Sequence, residues 1–279
     1  VKWIKIMQNI LITGCSSGIG LQTALTLKEN NYKVYASARK EEDVQMLKDL
    51  GFETFQIDVK NKEDISNAFE TIIKNDIKLD AVFNNAGYGQ PGAVEDLSVD
   101  TLKEQFDTNF FGLHEVTLQA MSLFRKQGFG KIIQHSSVLG IISLKYRGAY
   151  NASKYAIEGI TDTLRQEVLG SNIFISTINT GPVTSKFREN ALIKFDKNIV
   201  IEGSFFEEVY KKELKVRLES NDNNTPFNLP ATSVANVVLK IMKTQKPKPR
   251  YYVTKATYIL GFFKRVLSTS LMDKLLNKF

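Results

Sequence analysis

The run Ile10-Leu11-Ile12-Thr13-Gly14-Cys15-Ser16-Ser17-Gly18-Ile19-Gly20 decides the fold. Three apolar residues open it, a glycine-rich turn follows, and helical spacing then continues through Leu21, Leu25 and Leu27. The order is strand, tight turn, helix. Glycines in such a turn let the backbone bend sharply and approach a pyrophosphate, which meets the free N–H groups and positive end of the helix. A glycine trio alone serves equally well as plain turn chemistry. Its position between a first strand and a first helix favours the binding reading.

Outward from this turn, strand-like and helical segments alternate. Lys33-Val34-Tyr35-Ala36, Thr54-Phe55-Gln56-Ile57, Ala81-Val82-Phe83, residues 131–135 and residues 173–178 read as strands. Helical patterns cover residues 44–50, 65–73, 101–127 and 149–170. This alternation predicts an α/β fold, a Rossmann-type doubly wound parallel sheet of about seven strands with helices on both faces. Crossovers in such sheets are right-handed, which leaves few topologies. No repeat or low-complexity linker interrupts the pattern. Residues 184–230 read as an insertion within a single domain spanning 1–254, with a helix-like patch at 205–218 and the polar run Ser220-Asn221-Asp222-Asn223-Asn224-Thr225-Pro226.

Composition bounds the function. Of 279 residues 43% are apolar, enough for a sizeable core, and the lone Cys15 excludes an intrachain disulfide framework. Val1-Lys2-Trp3-Ile4-Lys5-Ile6 lacks the apolar stretch of a secretion signal, and Met7 stands where translation would suit a start. The apolar run at 258–263 is far short of the roughly 20 residues that span a bilayer, so a cytoplasmic protein is expected. The net charge of +7 is uneven, because ten Lys/Arg and only Asp273 among acids lie from Lys240 onward. The body is therefore no basic nucleic-acid binder, and attraction to anionic surfaces resides in the tail.

The turn's spacing is G-x-x-x-G-x-G, not the commoner G-x-G-x-x-G. It resembles the T-G-x-x-x-G-x-G motif of the short-chain dehydrogenase/reductase family, and further motifs follow in order. Asn84-Asn85-Ala86-Gly87 is similar to the family's N-N-A-G, and Asn109 stands where the family has its catalytic asparagine. Ser137 lies 13 residues before Tyr150, and Tyr150-Asn151-Ala152-Ser153-Lys154 matches Y-x-A-S-K. One match is weak; five in order along nearly the whole chain are specific. The resemblance implies a nicotinamide cofactor held by Gly14, Ser16, Ser17, Gly18, Ile19, Gly20, Asn85, Ala86 and Gly87. It also implies that Lys154 holds the nicotinamide ribose and that Asn109 anchors a water in a proton relay. Gly87-Tyr88-Gly89, Gly181-Pro182-Val183 and Lys248-Pro249-Arg250-Tyr251 resemble the retinol-dehydrogenase and 17β-hydroxysteroid-dehydrogenase branch.

Cofactor choice is read at the end of strand two. NAD enzymes of this fold carry an acid there and NADP enzymes an arginine. Here Ala38 replaces the acid and Arg39 follows, a planar fork suited to a 2′-phosphate, with Lys40 and Ser37 in support. NADP(H) is the expected cofactor; solvated charges at a helix start are the bland alternative. Asp58-Val59 resembles the family's adenine-contacting pair, although a plain turn reads nearly as well.

Carbonyl reduction needs a proton for the developing alkoxide. A free tyrosine, with its pKa near about 10, suits that poorly at neutral pH. Lys154 shares a helix face with Tyr150 and favours its ionised form, while Ser137 can bind the carbonyl oxygen. Taken alone, the Tyr150/Lys154 pair reads as an ordinary amphipathic helix; the motifs in register favour catalysis. After strand six the family's P-G-x-V-x-T becomes Thr180-Gly181-Pro182-Val183-Thr184-Ser185, so Gly181, Val183 and Ser185 remain as weaker cofactor contacts. His114 and His135 read as structural.

Leu139, Ile141, Leu144, Tyr146 and Phe187 are the expected substrate lining, pointing to a small lipophilic aldehyde, ketone or alcohol. Arg147 and Arg188 leave an acidic substrate open, without a cluster legible as such. A hydroxysteroid or keto-sphingoid substrate is the alternative within enzymes, and an inactive NADPH-binding regulator the alternative outside them. The tail, 255–279, reads as one basic amphipathic helix with Ile259, Phe263, Leu267, Leu271, Leu275 and Phe279 on its apolar face. It docks on its own domain, on a partner subunit or, less simply, on a membrane surface. The helices at 101–127 and 149–170 resemble those that pair subunits in the family, implying a homo-oligomer.

Overall fold

The computed structural model describes residues 7–220 and 225–278. The N-terminal stretch read as lacking a leader, four residues of the polar run and Phe279 lie outside the described residues. Seven strands form one parallel sheet in the order β3-β2-β1-β4-β5-β6-β7. The first half of the chain runs β1 (Asn9–Ile12), α1 (Gly18–Glu29), β2 (Lys33–Ala38), α2 (Glu41–Asp49), β3 (Glu53–Gln56), α3 (Lys62–Lys74) and β4 (Ala81–Asn84). Next come α4 (Val99–Phe106), α5 (Leu113–Gln127), β5 (Gly130–Ser137), α6 (Gly148–Glu167) and β6 (Ile173–Thr180). The chain continues through α7 (Phe187–Asn198), α8 (Glu207–Val209), α9 (Lys215–Glu219), α10 (Thr232–Lys243), β7 (Arg250–Tyr252), α11 (Lys255–Val266) and α12 (Thr269–Leu276).

Strand alternation builds the two cores. Ile10 and Ile12 face the layer made by α1, α2 and α10, where Leu27, Leu47, Val234 and Val238 are buried. Leu11 faces the opposite layer, with Ile65, Phe69, Val116 and Phe124 of α3 and α5. A sheet buried on both faces needs near-continuous apolar strands, as Ile10-Leu11-Ile12 and Ala81-Val82-Phe83 supply. Strand order reverses between β1 and its neighbours β2 and β4, the position where open α/β sheets bind ligands beyond the strands' carboxyl ends.

Four expectations need correction. The helix read at 101–127 is interrupted by a π-type turn at Asp107–Gly112. The patch at 205–218 is broken likewise, with a π-type turn at Tyr210–Leu214 between α8 and α9. β7 supplies only three residues and escaped location by pattern. The tail is two helices, because Leu267 turns extended and the Ser268 hydroxyl accepts from Leu271 N to start α12. Its buried side is also displaced from the expected stripe: Leu260, Phe263, Leu267, Met272, Leu275 and Leu276 pack against Val138, Leu139 and Ile142. Ile259 and Leu271, expected inward, are exposed together with Tyr258, Phe262 and Val266.

Candidate active site

The glycine turn is built to exclude side chains. Gly14 and Gly18 have φ of 71° and 55°, where a Cβ is strained. A Cβ on Gly20 would lie 2.1 Å from the Gly14 carbonyl oxygen, and one on Gly14 would lie 2.9 Å from Ala86 Cα. The segment after β4 holds the turn from the other side. Thr13 Oγ1 accepts from Asn85 N and Ala86 N at 3.0 and 3.1 Å, and Asn85 Nδ2 donates to the carbonyls of Thr13 and Gly14 at 3.0 Å each. Ser17 begins α1 without capping it through its side chain, so the first-turn N–H groups face the turn unsatisfied. These residues fit a pyrophosphate.

At the end of β2, Ser37 Oγ is buried without a partner among the described residues, a hydroxyl in want of a ligand. Arg39 forms no ion pair among the described residues, whereas Lys40 meets Glu42 at 2.9 Å on the surface. Asp58 forms a local turn, accepting from Lys60 N at 3.0 Å, and Val59 is buried in the core beside α5. Beyond β6, Ser185 Cβ comes within 3.2 Å of a Cβ built on Gly18, and Val183 bridges Leu229. Gly181 has a further reason to be glycine: a Cβ there would strike Thr254 Oγ1 at 2.1 Å, where α11 begins.

β5 runs two residues further than its apolar pattern, so Ser137 is its last residue, and α6 carries Tyr150 and Lys154 across from it. The Ser137 hydroxyl lies near enough to the Tyr150 phenol to favour its ionised form. It also accepts from Leu139 N at 3.1 Å and donates to Thr180 O at 3.3 Å. Lys154 Nζ lies 5.6 Å from the centre of the Tyr150 ring and donates to His135 O at 2.6 Å. Burial pushes the Tyr150 phenol up to about 12, against the pull of Ser137 and the Arg147 charge. Burial likewise lowers Lys154 to about 8, opposed by Glu158. Asn109 sits inside the π-type turn, a feature that commonly re-aims a side chain at functional sites. Its amide accepts from Tyr88 N at 3.0 Å and donates to Tyr88 O at 2.9 Å and Ser153 Oγ at 3.2 Å.

The geometry brings Asn109, Ser137, Tyr150 and Lys154 to the carboxyl ends of β4 and β5, beside the glycine turn. His135, read as structural, belongs to the same network. Its ring meets Asn85 Oδ1 at 3.1 Å and Thr180 Oγ1 at 3.3 Å, while its carbonyl holds Lys154. Burial and the Lys154 charge depress it to about 3, so it stays neutral. Of the expected substrate lining, Leu139, Ile141 and Leu144 cluster with Tyr150 and the tail, and the Phe187 ring packs edge-on to Tyr150 at 5.2 Å. Tyr146 lies apart; its ring packs on Phe206 and Tyr210 in the insertion's own cluster.

Comparison with known proteins identifies the family. The short chain dehydrogenase profile matches residues 8–194. An uncharacterized oxidoreductase, YbbO, of Escherichia coli is 37% identical over 98% of this chain and 95% of its own. A 3-ketodihydrosphingosine reductase of Bacteroides thetaiotaomicron is 33% identical over 78% of each chain. Bovine retinol dehydrogenase 8 is 30% identical over 87% of this chain and 80% of its own. Two solved Burkholderia dehydrogenases share the fold at a TM-score of 0.75. One, in complex with NAD, is 21% identical over 97% of this chain and 95% of its own; the other, in complex with NADP, is 18% identical over 97% of each. The glycine turn, the segment that braces it and the Ser137/Tyr150/Lys154 array thus carry one conclusion: the chain is an oxidoreductase of the short-chain dehydrogenase/reductase family.

Proposed function

We propose that the protein reduces an aldehyde or ketone on a small lipophilic molecule with NADPH, Tyr150 giving the proton. The placing of Ser137 and Lys154 around Tyr150, with Lys154 Nζ over its ring, carries this reading. Ser137 donates to the carbonyl oxygen as negative charge grows there, and Tyr150 Oη transfers its proton to that oxygen. Bound NADPH supplies the hydride to the carbonyl carbon. Lys154, fixed by His135 O, stabilises the phenolate left behind. Asn109 clamps the backbone of Tyr88 and Ser153 of α6, keeping the two walls of the site in register. A regulator that only bound NADPH would need none of this set. The 3-ketodihydrosphingosine reductase relative keeps lipid ketones beside aldehydes as substrates.

Arg39 supports the choice of NADPH: it follows Ala38, which stands where NAD enzymes carry an acid, and it has no ion pair among the described residues. Replacing Arg39 by Ala is expected to lower kcat/KM for NADPH about tenfold or more and to leave NADH unchanged, the value of a charged hydrogen-bonded contact. Steady-state kinetics with both cofactors checks it; equal loss with NADH rejects the 2′-phosphate role.

The tail bears on substrate access. Tyr258, Ile259, Phe262 and Val266 form an exposed apolar stripe on α11, flanked by exposed Lys255, Lys264 and Arg265. Apolar side chains bordered by cations suit an anionic lipid surface. We propose that this face touches such a surface while the buried face walls the site. Co-sedimentation with vesicles containing phosphatidylserine should retain the wild type, and a Phe262→Glu/Val266→Glu variant should remain in the supernatant. Equal pelleting of both removes the idea.

A further inference from the structure

Arg147 precedes α6 and stands three residues before Tyr150. The chain reaches it through Tyr146, whose φ of 61° is an outlier for a bulky residue. Three contacts hold that conformation: the Tyr146 carbonyl accepts from Gly92 N at 3.0 Å, and its ring packs on Phe206 at 5.5 Å and Tyr210 at 6.5 Å. A strained backbone position persists only where its surroundings over-determine it, and such positions cluster at binding sites. Here the strain commits Tyr146 to the insertion and leaves Arg147 on the side of Tyr150.

Arg147 is partly buried, its neighbours in electrostatic range are Tyr150, Arg188 and Arg217, and among the described residues no carboxylate or hydrogen-bond acceptor pairs with its guanidinium. Burial first, then the repulsion of Arg217 and Arg188, lowers it to about 10, a large fall for a group that is otherwise always charged. Arg250 shows how the same chain treats a partly buried arginine when structure alone is at stake: Glu158 lies at 2.5 Å and Asp162 at 3.5 Å. Arg188 is fixed at the rim, donating to Ser220 O at 3.1 Å and Thr225 Oγ1 at 3.1 Å, and Arg217 is exposed beyond it on α9. Two further cations thus lie within electrostatic range of Arg147, which adjoins Tyr150 and has no ion pair among the described residues. An uncompensated charge away from water costs stability, and a ligand's anion removes that cost.

We propose that Arg147 binds an oxyanion carried by the substrate, a carboxylate or a phosphate, with Arg188 and Arg217 drawing it in. The substrate is then an amphiphile: its carbonyl meets Tyr150, its chain lies on Leu139, Ile141 and Leu144, and its acidic group meets Arg147. That it is a carbonyl compound rests on the reductase reading above; that the site takes an oxyanion does not. A lipid bearing a cationic group in the same place would be repelled.

The test is calorimetric titration of dodecanoate, dodecyl phosphate and dodecanol, below micelle-forming concentrations, into protein saturated with NADP. One or both anions are expected to bind about tenfold or more tightly than dodecanol, and the phosphate-to-carboxylate ratio names the group. Arg147→Gln should remove that gain and leave dodecanol binding unchanged, which also shows an intact pocket. Equal binding of acid and alcohol by the wild type overturns the proposal, as does a gain that survives in Arg147→Gln. A gain lost in the variant, joined to no NADPH oxidation by 12-oxododecanoate or other carbonyl compounds, would retain the anion site and reject the reductase.

Discussion

Replacing Tyr150 by Phe is expected to lower kcat about 10²–10⁴-fold, the usual worth of a positioned general acid, with NADPH affinity nearly unchanged. The substitution removes one oxygen and keeps the ring. That ring packs edge-on to Phe187 at 5.2 Å and carries Lys154 Nζ over it at 5.6 Å, so the fold of the site survives. Burial holds the phenol up at about 12, so at neutral pH it is protonated, the state a donor in carbonyl reduction requires. Steady-state turnover beside fluorescence titration of NADPH separates chemistry from binding. Turnover retained in the variant would remove Tyr150 from the reaction.

A single methyl group at Gly20 is expected to cost the protein its cofactor. The added carbon would lie 2.1 Å from the Gly14 carbonyl oxygen and 2.6 Å from Asn85 Nδ2. The first of these is backbone inside the tight turn, so relief requires the turn itself to move and the Asn85 bonds to break. Gly20→Ala should weaken NADPH binding by about 100-fold or more and destabilise the fold by about 1–3 kcal/mol, as overpacking does. Gly159→Ala is the control: no atom lies within 4 Å of its built Cβ on α6, and it should be neutral or add up to about 1 kcal/mol of stability. Titration with NADPH and thermal melts of the two variants distinguish a specific clash from a general intolerance of change. Unaltered binding in Gly20→Ala would mean that the turn does not hold the pyrophosphate.

The sheet was legible because β1 and β4 are apolar on both faces and the glycine turn marks where the first helix starts. The helices were legible less fully. A spacing-four stripe continues across Leu267 and Leu271, hiding the break that Ser268 makes by capping α12. The true buried side begins at Leu260, one residue from the expected Ile259, and a Ser-Thr-Ser run inside a helical pattern was the available signal. The π-type turn at Asn109 leaves no mark, since its extra residue falls within an unbroken helical composition. The contribution of His135 is through a carbonyl and a neutral ring, neither of which residue type reveals. Arg147, Arg188 and Arg217 lie on three separate segments, and only folding of the insertion over α6 brings their charges into range.

Carbonyl reduction at Tyr150 is open to a test by product balance. Purified protein would be given NADPH and retinal, with NADPH loss and alcohol formation measured together. One mole of retinol is expected for each mole of NADPH consumed by the wild type, and neither change in Tyr150→Phe. Cofactor bound but unconsumed with retinal, with 12-oxododecanoate and with a lipid ketone would contradict it.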